Sequence, residues 1–389
     1  MISKKNILMI AATPFFSDRG CHIRIYNEIK YLLKNNISVD LCTYNLGKNP
    51  PGIDICNIKR SINIPWYRKT TPGASWHKIY LDFFLLLTSI KHWAHTKNRI
   101  IHAHLYEALC IAIIIKIISF GKSKIIFDCQ GSLAEEMYQY TLSKNKFMRL
   151  FYYFFIVIEK FLLLFPDYIF CSSTNSRDLL LKRYKIDINK IDVLNDGIDF
   201  DLFLNFDRVK EKKDLKHKLN IADEQNIILY TGSLSRAKGV DKYLEALEGI
   251  SINNPGYIFV FAGYGELEEV YKIKYHQMII EKKLFFLGGF DYFSLPKILS
   301  IADIFIEPKN NSSESSGKIY NYLFFGLPII CFKNKLTSKL LDDNGVFIDN
   351  YQEFVKLDNI KSNIYSINIP EELSWQKIIS KCITLYEKY

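Results

Sequence analysis

Residues 306–331 read IEPKNNSSESSGKIYNYLFFGLPIIC, and the order of their patterns decides the fold. A short apolar run ends at Glu307, small polar residues fill 310–316, a helical pattern opens at Gly317, and a second apolar run begins at Pro328. Strand, loop, helix, strand is the repeating unit of a parallel sheet. The same alternation continues on either side, with strands expected at 227–232 (IILYTG), 257–263 (YIFVFAG), 284–288 (LFFLG), 304–308, 328–332 and 345–348. The first half repeats the scheme. Its expected strands are 5–13 (KNILMIAAT), 38–44 (SVDLCTY), 99–105 (RIIHAHL), 123–130 (SKIIFDCQ), 168–173 (YIFCSS) and 191–194 (IDVL), with helices notably over 22–35, 77–97, 132–164 and 174–184. Each set suffices for its own doubly wound sheet, so the fold class is α/β with two facing Rossmann-like domains. The charged stretch NFDRVKEKKDLKHKLNIADEQN (205–226) marks the linker and its flank, giving domains at 1–195 and 196–371. Two such domains place the carboxyl ends of both sheets at a shared cleft, where open α/β sheets bind ligands.

Length and composition agree with this reading. A chain of 389 residues with 49% hydrophobic and 24% charged residues, 18 Gly and 11 Pro is neither disordered nor a small disulfide scaffold. Eight scattered cysteines without a C-x-x-C pair imply reduced, buried thiols, a cytosolic chain and no structural zinc. The opening apolar run stops at Pro14, too soon for a secretory signal. The runs 108–120 and 147–165 carry internal charges (Lys116; Arg149, Glu159, Lys160), so both read as buried or membrane-facing helices, not spans. Charge is uneven: residues 1–195 hold 27 Lys and Arg against 14 Asp and Glu, and 196–389 hold 24 against 27. A basic first half implies an anionic partner. Its dispersed cations and lack of a recognition motif favour an anionic membrane surface over nucleic acid, with a solvated basic face as the plain alternative. The aromatic segment 61–93, with Trp66, Tyr67, Trp76 and Trp93 beside Arg68 and Lys69, suits an interface or acceptor cleft, or ordinary core packing.

Several strand-to-helix loops carry candidate chemistry. Gly20 opens a helix after the first strand, where free amides can hold an anion, although one glycine also makes an ordinary turn. His102 and His104 share one side of a strand; no metal-ligand spacing accompanies them, so no metal is expected. In YTGSLSRAKGVDKYLEAL, Arg236 and Lys238 sit on a loop suited to neutralising a diphosphate, and Gly263 and Gly265 flank Tyr264 on the next loop. In the opening stretch, Gly317 and Lys318 begin a helix whose amides small neighbours leave open to a phosphate. Glu314 is that loop's carboxylate and suits neutral sugar hydroxyls, while Asn321 can hydrogen-bond further along the same ligand.

Taken together and in order, the Gly20 turn, HAH, PDYIFCSSTNSRDLLL, VLNDGIDFDLF, YTGSLSRAKGVDKYLEAL, GYGELEE, LFFLGGF, LSIADIFIEP and KIYNYLFFGLPII resemble the retaining, nucleotide-sugar-dependent glycosyltransferases of family 4, with the GT-B fold. The resemblance spans nearly the whole chain. It implies that the helix at 372–389 returns to the first domain, and that His104 contacts the transferred sugar. It also implies that Gly20 lies by the donor phosphates, that Lys238 compensates the leaving diphosphate and that Glu314 holds donor hydroxyls. The backbone of Ser315, Ser316, Gly317 and Lys318 would bind phosphate, and Phe286 would border the base. Two places depart from the family pattern. Ser233 stands where the family has an arginine, so phosphate binding is either taken over by Arg236 or weaker. The family's glutamate pair falls on Ser313 and Asn321, with Glu314 one position late, which leaves the nucleotide, UDP- or GDP-linked, open.

The function implied is a metal-independent transferase on the cytosolic face of the plasma membrane, with a nucleotide-sugar as co-substrate and no other cofactor. Its acceptor would be a membrane-associated, lipid-linked glycan of bacterial surface polysaccharide assembly. A nucleotide-sugar epimerase would need a carboxylate pair, for which Glu314 is the one obvious member. A catalytically silent partner protein is the third reading.

Overall fold

The computed structural model describes residues 6–17, 20–68, 77–96, 99–140, 146–204, 206–309, 316–341, 345–350 and 371–389. The chain divides into two compact units. One holds the residues up to Asp196 together with Trp375–Tyr389, and the other runs from Gly197 to Ser374.

The first unit follows β1 (Asn6–Ala11), α1 (Gly20–Lys34), β2 (Ser38–Thr43), β3 (Asn57–Arg60), α2 (His77–Thr96), β4 (Ile100–His104), α3 (Tyr106–Ile118), β5 (Lys124–Cys129), α4 (Leu133–Tyr140), α5 (Lys146–Leu162), β6 (Tyr168–Cys171), α6 (Thr174–Tyr184) and β7 (Ile191–Val193). Its parallel sheet has the order β3-β2-β1-β4-β5-β6-β7. Continuous apolar runs such as NILMIA become central strands because helices cover both faces, leaving no wet side to require alternation. The edge strand NIKR lacks that signature and alternates exposed with half-buried residues, which is why periodicity passes over it. The single helix expected across 132–164 is two helices, α4 and α5. One of the clearest helix stops is Lys185, whose left-handed φ of 52° ends α6.

The second unit follows α7 (Arg208–Lys218), β8 (Asn226–Thr231), α8 (Val240–Asn253), β9 (Tyr257–Ala262), α9 (Glu268–Lys274), α10 (His276–Ile280), β10 (Leu284–Gly288), α11 (Leu295–Ser300), β11 (Ile304–Glu307), α12 (Gly317–Leu323), β12 (Ile329–Phe332), α13 (Lys335–Leu341) and β13 (Gly345–Ile348). Its parallel sheet has the order β10-β9-β8-β11-β12-β13. Both sheets therefore reverse strand order beside their first strand, at β1/β4 and at β8/β11. The carboxyl ends there are where a doubly wound sheet opens a crevice.

After the second unit, α14 (Trp375–Lys388) packs in the first unit against α1. Ile198 and Ser374 form an isolated bridge, so the segments leaving and re-entering the first unit run side by side. All eight cysteines are unbridged; six are buried, whereas Cys110 lies on the outward face of α3 and Cys21 is half-buried. Among the described residues no helix is long and apolar enough to cross a membrane.

Candidate functional sites

At the first switch point, register brings polar side chains into the core. His104 stands opposite Ala11 of β1 and Asp128 of β5, and His102 sits two residues back on the same face. His104 Nδ1 lies 3.1 Å from an Asp128 oxygen, and the two imidazoles stack at 4.6 Å. His102 Nδ1 meets the Tyr386 hydroxyl of α14 at 2.6 Å. Arg24, from α1, donates two hydrogen bonds to Asp128 at 2.9 and 2.7 Å and one to Asp196 at 3.0 Å, and its Nε lies 3.2 Å from Glu28. Arg24, Glu28, His102, His104 and Asp128 are all buried.

The electrostatics follow from that burial. Desolvation alone would raise Asp128, but the Arg24 guanidinium and the His104 hydrogen bond hold it well below the usual carboxylate range. Glu28 lacks such support: burial, then the charge of Asp128, push it up to about 7, with Arg24 opposing. Burial and the neighbouring His104 hold His102 well below the ordinary histidine value. Directly after His104, Leu105 adopts φ 74° and ψ 160°, a region all but reserved for glycine. Such strain costs about 1–3 kcal/mol and persists where surroundings fix it, so the β4 end is a held position.

Both His104 ring nitrogens face inward, towards Asp128 and Glu28. The His104 ring is buried at the end of β4, and its Nε2 has no hydrogen-bond partner among the described residues. Gly20 is exposed and opens α1, and a Cβ there would meet nothing within 4 Å. Asp18 and Arg19 lie outside the described residues, as do Trp76 and residues 310–315, including Ser313, Glu314 and Ser315.

At the second switch point, three loops stack at the strand ends. Gly232 accepts no neighbour lightly: a Cβ on Gly263 would lie 1.9 Å from its carbonyl oxygen, and one on Gly265 would lie 2.2 Å from that of Leu234. Glycine is required at 263 and 265 because the protein's own backbone occupies that space, whatever ligand binds. Ser233 is exposed, Arg236 is exposed on the turn Arg236–Lys238, and Lys238 is half-buried. From the other side of the switch, Lys318 Nζ lies 3.5 Å from Glu307, 4.2 Å from the Tyr230 ring centroid and close to Gly232. Burial pushes the Tyr230 hydroxyl up, Glu307 adds to this and Lys238 opposes it, which places both lysines' influence on one ring.

Glu307 is the residue that sequence reasoning missed. It is 2% exposed at the end of β11 and accepts hydrogen bonds from the Ser316 hydroxyl and the Lys309 amide. The signal was a lone carboxylate closing an otherwise apolar strand. Asn321 is half-buried on α12, and Phe286 stacks on Phe261 at 5.4 Å, so that ring is partly committed to the core.

Comparison with known proteins adds a family. Residues 19–202 match the model of Glycosyltransferase Family 4, and residues 211–359 that of Glycosyl transferases group 1. The chain is similar to the UDP-Gal:alpha-D-GlcNAc-diphosphoundecaprenol alpha-1,3-galactosyltransferase of Escherichia coli, at 31% identity over 143 residues, 36% of this chain and 35% of that one. It thus spans about a third of that relative's length. Among solved structures, Alr3699/HepE of Anabaena in complex with UDP-glucose superposes with a TM-score of 0.72 at 14% identity, covering 99% of this chain and 100% of that one. WaaG, a glycosyltransferase involved in lipopolysaccharide biosynthesis, does so at 0.66 and 13%, covering 96% and 94%. Two parallel sheets of the same winding, shared with these structures, and two family models in tandem give one conclusion: the chain belongs to the GT-B glycosyltransferases, with a family 4 domain ahead of a group 1 domain.

Proposed function

We propose that the chain is a retaining glycosyltransferase that moves a sugar from a UDP- or GDP-linked donor to a membrane-associated, lipid-linked glycan in bacterial surface polysaccharide biosynthesis. The observation that carries it is Lys318 over the Tyr230 ring and close to Gly232 at the glycine-lined strand ends of the β8/β11 switch point, with Lys238 on the turn that follows β8. That is where a doubly wound sheet takes a nucleotide, and cations there suit a diphosphate. The relative from Escherichia coli, whose name gives a UDP-sugar donor and a diphosphoundecaprenol acceptor, supports the choice of substrates.

In this reading the bond between the anomeric carbon and the diphosphate oxygen breaks, and the acceptor oxygen bonds that carbon on the same face. The acceptor proton passes to the departing phosphate oxygen. Lys238, Arg236 and the amides that open α12 meet the developing charge, so transfer proceeds without a catalytic metal. Gly20 and Ser233 leave room for the phosphates, Glu314 holds the donor hydroxyls, Asn321 reaches the ribose side and Phe286 borders the base. His104, at the β4 end beside the strained Leu105 turn, contacts the transferred sugar near the reacting carbon. Incubating the purified chain with UDP- and GDP-sugars and a lipid-linked acceptor should release nucleoside diphosphate from one donor and lengthen the acceptor. Isomerised sugar without release, or binding without turnover, would overturn the reading.

Membrane docking belongs to the same proposal. Helices α2, α3 and α5 lie side by side, and their outward faces expose Ile79, Phe83 and Leu87, then Ile117 and Phe120, then Phe154, Val157 and Phe161. Phe120 is 92% exposed. Exposed Lys91, Lys122 and Lys160 accompany them, the pairing of apolar face and cations that an anionic bilayer attracts. The chain should co-sediment with phosphatidylglycerol-containing vesicles and less with neutral ones, and Phe154→Asp with Phe161→Asp should lower partitioning at least about tenfold. Equal sedimentation of wild type and variant would remove this surface from the reading.

A further inference from the structure

Glu307 closes β11 as a carboxylate that is only 2% exposed. An ionised group so enclosed is costly unless donors and an opposite charge meet it. Its Oε1 accepts the Lys309 amide at 3.2 Å, and its Oε2 accepts the Ser316 hydroxyl and lies 3.5 Å from Lys318 Nζ. Lys309 and Ser316 stand on either side of residues 310–315 in the sequence, so one side chain fixes where that stretch departs and where it returns. The cation that offsets the carboxylate is Lys318.

That ammonium is seated without being saturated. Lys318 Nζ lies 4.2 Å from the Tyr230 ring centroid, and a Cβ on Gly232 would come within 3.3 Å of it, so no side chain separates the ammonium from the turn after β8. The turn is itself held from two sides. The Tyr322 hydroxyl accepts the Thr231 amide at 2.9 Å, and the Tyr230 hydroxyl donates to the Ser233 carbonyl at 2.8 Å. An ammonium carries three N–H donors. Among the described residues Lys318 meets only a carboxylate at ion-pair distance and the face of a ring, and its side chain keeps 18% exposure. A long side chain already held in this way gives up less freedom when an anion arrives.

We infer that Glu307 is a positioning residue: it holds the Lys318 ammonium against the Gly232 turn, ready for the diphosphate of the donor. The inference rests on the transfer proposed above, which brings a nucleoside diphosphate to these strand ends, and it adds the residue that fixes the cation there. Glu307 acts through Lys318 and touches neither sugar nor phosphate. A bare carboxylate at this place would repel a diphosphate; with the lysine beside it the charge is offset, and the ammonium still has donors to give.

The test is a double-mutant cycle on the full chain, read in the dissociation constants of UDP and GDP by titration calorimetry. The wild type should bind one of the two. Lys318→Met should weaken that binding about tenfold, and Lys318→Arg should restore most of it, because the charge is what the diphosphate meets. Glu307→Gln keeps an acceptor for its neighbours but releases the ammonium, and should weaken binding about fivefold on its own. In the Lys318→Met background the same change should alter binding by less than about twofold, since the partner it acts through is gone. Glu307→Asp, which keeps the charge but withdraws it by one methylene, should behave alike and stands in should the glutamine variant not fold. Equal weakening by Glu307→Gln in both backgrounds would make the carboxylate a prop of the fold alone. Unchanged or tighter binding in Glu307→Gln, or methionine serving as well as arginine at 318, would likewise overturn the inference while leaving the donor reading intact. A wild type that binds neither UDP nor GDP would overturn both.

Discussion

Replacing Arg24 with methionine is expected to destabilise the first unit by about 3–5 kcal/mol. The guanidinium is 3% exposed and holds Asp128 bidentately, so its loss leaves a buried carboxylate uncompensated while the helix remains able to form. All the tryptophans lie outside Gly197–Ser374, so their fluorescence reports this unit alone. The urea midpoint should fall by about 2 M, given a typical slope of about 2 kcal/mol per molar. Adding Asp128→Asn should recover part of the loss, since the orphaned charge goes with it. The pH dependence has a definite sign. Asp128 titrates lower in the folded chain than unfolded, so its contribution is present above the ordinary aspartate value near 3.9 and is lost as pH falls through the folded value. The gap between wild type and variant should therefore be widest near neutrality and narrow in acid. An unchanged midpoint at pH 7 would mean that the cluster contributes nothing net.

Lys238→Ala is expected to lower kcat/KM by about 10²–10³-fold, the loss of about 2.7–4 kcal/mol that accompanies removal of one preorganised charge partner. The lysine ends the turn after β8, and Gly239, in the left-handed region at φ 73°, directs the chain from that turn into α8. A cation fixed by a turn needs little rearrangement as charge develops on a leaving diphosphate. Most of the loss should appear in kcat, because the charge grows in the transition state, and Lys238→Arg should restore part of it. Lys272→Ala, which removes a surface ion pair with Glu268 and Glu269, should leave the rate within twofold. A loss under threefold for Lys238→Ala would take this residue out of the charge-stabilising role.

Much of the fold was legible because central parallel strands are short, apolar and punctuated by polar loops. The expected helix over 174–184 is α6 to the residue, since Ser173 caps its start and the following lysine turns left-handed. Where burial is low the sequence is mute: Asn57–Arg60 pairs with β2 through its backbone and the Asn57 side chain on Asp40, a polar pairing that no apolar pattern announces. The second-unit loops were readable as glycines and cations at strand ends, but Glu307 was hidden as the last residue of an apolar run. The charged cluster was harder still. Arg24, Glu28, His104, Asp128 and Asp196 come from separated segments and meet only through strand register and helix rotation. The clue available was a helix whose polar residues, His22, Arg24 and Glu28, fall among its buried positions.

The placement of α14 has a consequence for synthesis. Trp375 lies 6.0 Å from the Arg24 guanidinium and Tyr386 supports His102, yet both follow the entire second unit in sequence. On a ribosome adding about 5–20 residues per second, the sheet made first would wait roughly ten seconds or more, with α1 uncovered, for the helix that completes it. The half translated earliest is thus the last to be finished, and a nascent chain stalled anywhere in the second unit would leave that surface open to chaperones.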